Sequence, residues 1–392
     1  MTSKDRKEKR YQNRKHKREQ KKQQFLNSLP SYEEIFTFEH LYHSFWLCRR
    51  EVGWKPSLQI YQQNLTIEIV KLLNELHSPQ GFKSGGFIEF NICERGKMRH
   101  IKSVNIKERI VQRCFCDYYL VPLLTHNLIY DNGASLKNKG VSFTLNRLNK
   151  HLKDYYKSNN NNNNEGYILL FDFSNYFGSI NHEILYDQVD SLILDEKCRK
   201  LFHHLIDMFG DVGLGLGSQV SQVSAVAFPN KIDHFFLQYP TVKKYARYMD
   251  DGYAIFNNKE EAKECFNNVL SLLNELKLNI NLKKVKIIKL KHSFPFLKKR
   301  FYICKNGKII KRLARNKIYK HFRKIKKLIL LCRKGKLHLD NVVFAHNTWK
   351  GQLKPYNNKK AINNIHKKIG RLLNNERRYS AYASYQCSLK AS

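Results

Sequence analysis

Two short apolar segments that close on carboxylates constrain this chain more than any other feature. The first is Gly166-Tyr167-Ile168-Leu169-Leu170-Phe171-Asp172-Phe173, a nearly unbroken apolar run of strand length. Such a run reads as a buried strand, and the acid inside it needs a partner, because an isolated buried charge is very costly. The second runs from Lys243 to Phe256, with Tyr-, Ile- and Phe-rich arms around Asp250-Asp251-Gly252. It predicts a β-hairpin with its tight turn at the Asp-Gly corner. Taken alone, that corner is an ordinary solvated turn. If the two strands are neighbours, Asp172, Asp250 and Asp251 form an all-oxygen cluster suited to two Mg²⁺ ions, with Mn²⁺ as a substitute. Two metals about 4 Å apart stabilise the attacking and leaving oxygens of an in-line phosphoryl displacement.

Charge narrows the partner. The chain carries 71 Lys and Arg against 33 Asp and Glu, a formal charge of +38 over 392 residues. That excess exceeds what solubility requires, and a nucleic acid would offset it. A membrane ranks lower, since no stretch of about 18 apolar residues offers a span. Nine cysteines without a Cys-x-x-Cys pair suggest reduced thiols and a cytoplasmic location, with neither a disulfide framework nor a zinc site. The N-terminus lacks the apolar core of a secretory signal. An apolar content of 42% suffices for two or three subdomains.

Four regions follow in order. Residues 1–24 are almost all charged or amide and predict a disordered basic arm or frayed helix. Residues 25–165 hold a capping box at Ser31-Tyr32-Glu33-Glu34 and two or three helices to Leu76. They also hold a hairpin over Phe87 to Lys102 turning at Glu94-Arg95-Gly96, a helix from Val104 that Pro122 ends, and a flexible Asn run at 159–164. Residues 166–293 contain both acidic segments. Helices are predicted over His182 to Leu194, Lys197 to Phe209, from Ser218 to Leu237, and over Lys259 to Leu276. Residues 294–392 open on Phe294-Pro295-Phe296-Leu297, a hairpin closed by Asn306-Gly307, then basic helices over Arg315 to Lys334 and Asn357 to Leu373. Between Leu276 and Leu339 there is no Asp or Glu against 23 Lys and Arg, which reads as a phosphate-tracking surface.

Tyr248-Met249-Asp250-Asp251 in a hairpin, downstream of an apolar strand ending in Asp172, resembles the palm of a reverse transcriptase. The resemblance covers about Phe87 to the end and implies an α+β right-hand polymerase with fingers, an antiparallel-sheet palm and a helical thumb. It implies that Asp172, Asp250 and Asp251 hold the metals and that Lys284, in Asn279 to Ile288, protonates the leaving pyrophosphate. Nucleotide contacts fall to Lys97, Arg99, Phe173, Phe177, Gly217, Ser218 and Gln222. The cations of Lys97-Met98-Arg99-His100-Ile101 would hold the triphosphate, and Phe177 would crowd a 2′-hydroxyl. Phe296 and Leu297 would grip the primer end.

The Gly213-to-Gln222 run, ending Ser-x-x-Ser-Gln, is similar to bacterial enzymes of diversity-generating and defence-associated "unknown-group" elements. The chain departs from relatives in having Gly215 where they usually have Pro, and Gly178 where many carry an acid. After Asp340 only Glu376 is acidic, so no ribonuclease H site is expected. The implied partners are template RNA, nascent DNA, a cognate non-coding RNA and an accessory protein, without a membrane. The rivals are template-independent or protein-primed synthesis, and a non-catalytic RNA-binding scaffold.

Overall fold

Local signals set most of the element order in the computed structural model, which describes residues 3–94, 97–158, 164–353 and 356–391. The basic N-terminus is a helix, α1 (Ser3–Asn27). Its last turn is anchored: Leu26 is buried and the Phe25 ring stacks on His126 at 3.8 Å. Ser31 then forms the expected capping box, its N–H donating to the Glu34 carboxylate at 2.7 Å. Four helices follow where two or three are expected: α2 (Tyr32–Ile35), α3 (Phe38–Arg49), α4 (Pro56–Gln63) and α5 (Leu65–Leu76).

Strands β1 (Phe87–Glu94) and β2 (Lys97–Val104) make the predicted antiparallel hairpin, from Phe87↔Val104 to Glu94↔Lys97. Its turn, residues 95 and 96, lies outside the described residues. Pro122 does not end the next helix. Instead α6 (Ile106–Phe115) widens into a π-helical turn at Cys116–Leu120 and continues as α7 (Val121–Thr125), with Pro122 in its first turn. A proline lacks an N–H and crowds the carbonyl four residues back; the wider turn absorbs both defects. Helix α8 (Val141–Ser158) leads to the Asn run, of which 159–163 lie outside the described residues. Asn164 is buried and donates to the Ile303 carbonyl at 2.8 Å.

The acidic region contains β3 (Tyr167–Asp172), α9 (Tyr176–Ser179), α10 (His182–Val189) and α11 (Glu196–Asp207). The single helix predicted to reach Leu237 is two, α12 (Gln219–Ala227) and α13 (Asn230–Gln238), because Pro229 cannot donate into the helical ladder. The hairpin of β4 (Lys244–Tyr248) and β5 (Asp251–Phe256) turns at Met249-Asp250, two residues before the predicted Asp251-Gly252 corner, with Met249 at φ 53°. Helix α14 (Lys259–Glu275) and β6 (Lys286–Lys289) follow, and the sheet runs β4-β5-β3-β6.

The remainder is β7 (Phe294–Phe296), β8 (Lys299–Ile303), β9 (Ile309–Leu313), α15 (Arg315–Arg333), α16 (Leu339–Gly351) and α17 (Lys359–Ala391). Strands β7-β8-β9 form a meander with two tight turns, one more than predicted. The additional turn is Leu297-Lys298, both left-handed at φ 44° and 64°.

The chain divides into two compact units. The first comprises Met1–Thr144, Phe171–Ala254 and Glu260–Val285; the second comprises Leu145–Leu170, Ile255–Lys259 and Lys286–Ser392. In the first, the rings of Phe171, Phe236 and Tyr245 stack, with Phe236 5.4 Å from Phe171 and 4.7 Å from Tyr245. In the second, α15, α16 and α17 bury Ile318, Ile325, Val342, Ile365 and Ile369, so the helical region has three helices where two are expected. Glu376 is buried and meets the Arg333 guanidinium at 3.0 and 3.1 Å. Among the described residues no helix is long and apolar enough to cross a membrane.

Candidate active site

Main-chain hydrogen bonds converge the acids. After β3 ends at Asp172, the Phe173 N–H donates to the Asp250 carbonyl at 3.1 Å, which docks the hairpin turn on one side. On the other side Asn281 N–H donates to the Asp172 carbonyl at 2.9 Å, and Ser174 N–H to the Asn279 carbonyl at 2.7 Å. The segment then turns back, Lys284 N–H to Asn281 carbonyl at 2.8 Å, so that Lys284 Nζ reaches Asp172 Oδ1 at 2.6 Å. Gly252 permits the close approach of β5: a β-carbon there would lie 2.2 Å from the Phe171 ring. This glycine serves packing within a strand rather than a turn.

The corner is strongly acidic. Asp172 is only 6% exposed. The Asp251 carboxyl is pushed up to about 7, by burial first and then by the Asp250 and Asp172 charges, with a hydrogen bond to Asp172 adding to the shift. Burial pulls Lys284 down, but its hydrogen bond to Asp172 and the charges of Asp172, Asp251 and Asp250 outweigh it, so the ammonium is held above its ordinary value. The donor set is three carboxylates, which suits a hard divalent cation. Among the described residues, no three His, Cys, Asp or Glu side chains are already gathered around one metal position. Lys284 stands on Asp172 instead.

The glycine-rich loop is stitched beside Phe177. Leu214 N–H donates to the Phe177 carbonyl at 2.7 Å, Gly213 N–H to the Ile180 carbonyl at 2.8 Å, and His182 Nε2 lies 2.8 Å from the Gly213 carbonyl. Gly213 and Gly217 require glycine, at φ 94° and 106°. Gly215 is explained sterically. A β-carbon would sit 2.0 Å from the Phe209 ring, and its N–H donates to Ser221 Oγ at 3.2 Å, a bond proline would lose.

The predicted nucleotide residues divide. Phe177 is half-buried against Tyr176. Phe173 is 2% exposed among Phe171 and Tyr176, so its ring is a core group and cannot face a nucleotide. Ser218 is buried as the cap of α12, its Oγ accepting from Ser221 N–H at 3.2 Å. Gln222 is exposed and donates to Ser135 Oγ at 2.8 Å. Lys97 and Arg99 stand on β2 opposite Glu94 and Ile92. The side chains of both lie outside what is described. In the other unit Phe296 is buried and Leu297 forms the left-handed turn after it.

Sequence reasoning missed Arg247 and Asp233. Both side chains are completely buried and paired, with Arg247 Nε 2.7 Å from Asp233 Oδ1 and Nη2 2.7 Å from Oδ2. Arg247 reads in sequence as one more cation after Lys243 and Lys244. The available signal was Asp233, an acid set among Ile232, Phe235 and Phe236 on a helix face.

A family profile described as "Reverse transcriptase (RNA-dependent DNA polymerase)" matches residues 83–299, more than half of the chain. A search of curated proteins finds no match. Among solved structures, apo telomerase from Candida tropicalis truncated of its C-terminal domain aligns at 15% identity and TM-score 0.46, over 65% of this chain and 60% of that one. Apo telomerase from the same organism aligns at 14% identity and TM-score 0.45, over 64% of this chain and 52% of that one. This chain therefore spans less than two thirds of either telomerase chain. The fold is α+β, with the antiparallel palm sheet and helical thumb of a right-hand polymerase, and the chain belongs to the reverse transcriptase family.

Proposed function

We propose that the protein is an RNA-directed DNA polymerase that adds dNTPs to a primer 3′-hydroxyl. One observation carries the reading: Asp172, Asp250 and Asp251 meet at one corner, with the Lys284 ammonium 2.6 Å from Asp172, inside the span matched by the family. The three carboxylates would hold Mg²⁺, or Mn²⁺ in its place, when Lys284 yields Asp172. Bound there as a pair, the ions would supply Lewis-acid stabilisation of the attacking and leaving oxygens.

Each remaining residue has a task in this reading. Released from Asp172, Lys284 carries a proton on Nζ that it can give to the departing pyrophosphate. Phe177 sets the sugar preference, because its half-buried ring lies beside the glycine-rich loop that admits the nucleotide. Lys97 and Arg99 hold the triphosphate, Gly217 and Gln222 shape the pocket, and Leu297 meets the primer. Template RNA and nascent DNA are the partners, which the charge of +38 supports. A cognate non-coding RNA, an accessory protein and a cytoplasmic bacterial retroelement or phage-defence role extend the same reading. The Ser-x-x-Ser-Gln ending of the Gly213-to-Gln222 run supports them.

The test is labelled-dNTP incorporation on a primed RNA with Mg²⁺, beside Asp250→Ala. Template-dependent product that disappears in the variant, with RNA binding intact, is expected. Incorporation near wild type in the variant would remove Asp250 from the site.

A further inference from the structure

We infer that the buried Arg247–Asp233 pair is the positioning device of the acidic corner, acting through the main chain of its turn. The inference rests on the polymerase reading for its kinetic readout and on the carboxylates alone for its second.

Arg247 uses its planar fork on three segments. Nε and Nη2 grip both oxygens of Asp233 on α13; Nη2 also donates to the Val226 carbonyl on α12 at 2.9 Å; Nη1 donates to the Met249 carbonyl at 2.9 Å. Asp233 Oδ1 further accepts from Tyr245 OH at 2.7 Å. Met249 is the turn residue that precedes Asp250, and it sits in the left-handed region that non-glycine residues avoid. Its conformation needs support from outside the turn, and the guanidinium supplies it. The same guanidinium fixes α12, whose cap is Ser218 and whose exposed face carries Gln222. The turn bearing the carboxylates and the helix behind the glycine-rich loop are thus held by one group.

Stability alone does not account for this choice. A fully desolvated ion pair is commonly no more stable than apolar residues of equal volume. What an apolar replacement cannot reproduce is the bond to the Met249 carbonyl. A lysine cannot either, because one ammonium cannot engage Asp233 in a fork and also reach Met249 and Val226.

The experiment compares wild type, Arg247→Lys and a triple variant, Arg247→Met with Asp233→Leu and Tyr245→Phe, which leaves no buried orphan at Asp233 or Tyr245. Thermal melting reports folding, steady-state incorporation gives kcat and the dNTP KM, and Mn²⁺ titration followed by electron paramagnetic resonance gives metal affinity without turnover. Displacing the carboxylates by a fraction of an ångström should lower kcat about 10- to 100-fold in folded Arg247→Lys, with KM changed less than about threefold. Mn²⁺ affinity should fall several-fold. The triple variant should melt near wild type yet stay as slow as Arg247→Lys. Wild-type kcat and Mn²⁺ affinity in either folded variant would overturn the inference and leave the pair a packing element. If Arg247→Lys does not fold, the triple variant decides. If the wild type incorporates no dNTP on any primed RNA, the polymerase reading fails and the Mn²⁺ titration still tests the pair.

Discussion

Acidification should unlatch the second unit through a chain of three histidines, and the size of the effect follows from its geometry. His321 Nε2 lies 3.2 Å from His346 Nδ1, and His346 Nε2 lies 2.8 Å from His366 Nδ1. Lys350 Nζ closes the chain 3.3 Å from His366 Nε2. Lysine has only protons to give, so His366 Nε2 accepts, His366 Nδ1–H donates to His346, and His346 Nδ1–H donates to His321. Every ring in that order is neutral. His321 and His346 are 8% and 3% exposed. Burial holds each down to about 4; the neighbouring histidine adds to this, as do Lys324 beside His321 and Lys350 beside His346. His366 is also lowered, by burial and Lys350.

The unfolded chain, with histidines at the ordinary 6.5, binds these protons first as pH falls. Stability is therefore complete above about 6.5, declines through the interval below it, and has lost this contribution by about 4. At pH 5 each of the two rings accounts for roughly 2 kcal/mol, so about 4 kcal/mol is the ceiling for the pair. The assay is urea unfolding between pH 7.5 and 5 in a Trp46→Phe, Trp54→Phe background, where Trp349 reports the second unit. Its ring stacks on His321 at 3.8 Å. Carboxylates elsewhere titrate too, so the quantity of interest is the difference from His346→Gln, whose amide can donate and accept but cannot be protonated. A pH dependence identical in the two proteins would refute the reasoning.

Three further outcomes follow from individual contacts. Gly252→Ala places a β-carbon 2.2 Å from the Phe171 ring, and overpacking of this kind should cost about 1–3 kcal/mol, read as a lowered urea midpoint. Leu297→Asn with Lys298→Gly puts the two residue types that best tolerate the left-handed region at left-handed positions and should raise stability by about 1–2 kcal/mol. If Leu297 meets the primer, the same pair should slow extension. Phe177→Ala should raise ribonucleotide over deoxynucleotide incorporation by about 10- to 100-fold, measured with competing rNTPs; an unchanged ratio would leave Phe177 as a core ring.

What could be read from the sequence was whatever depends on near neighbours. The capping box at Ser31 needs only Glu34, and the buried strand ending at Asp172 declares itself by five apolar residues in a row, Tyr167 to Phe171. The Lys284–Asp172 contact was not legible, since 112 positions separate the two residues; the resemblance singled out Lys284 only as a proton donor. Where local and distant requirements disagree, the distant one prevails. Asp251-Gly252 is the stronger turn signal by composition, yet the turn falls at Met249-Asp250 because Gly252 is needed against Phe171.

Glycines 215 and 252 carry this argument furthest. Neither has the left-handed φ that would make glycine a local necessity; each is set by an aromatic ring from another segment, Phe209 or Phe171. Arg247 is the polar counterpart. Its neighbours Lys243 and Lys244 advertise a solvated basic strand, and only Asp233 on α13, fourteen residues earlier, makes burial of its charge tolerable. A residue whose identity is fixed by a partner elsewhere in the fold looks generic in its own window. In this chain such residues include the supports of the acidic corner, so the carboxylates were visible from the sequence while the groups that aim them were not.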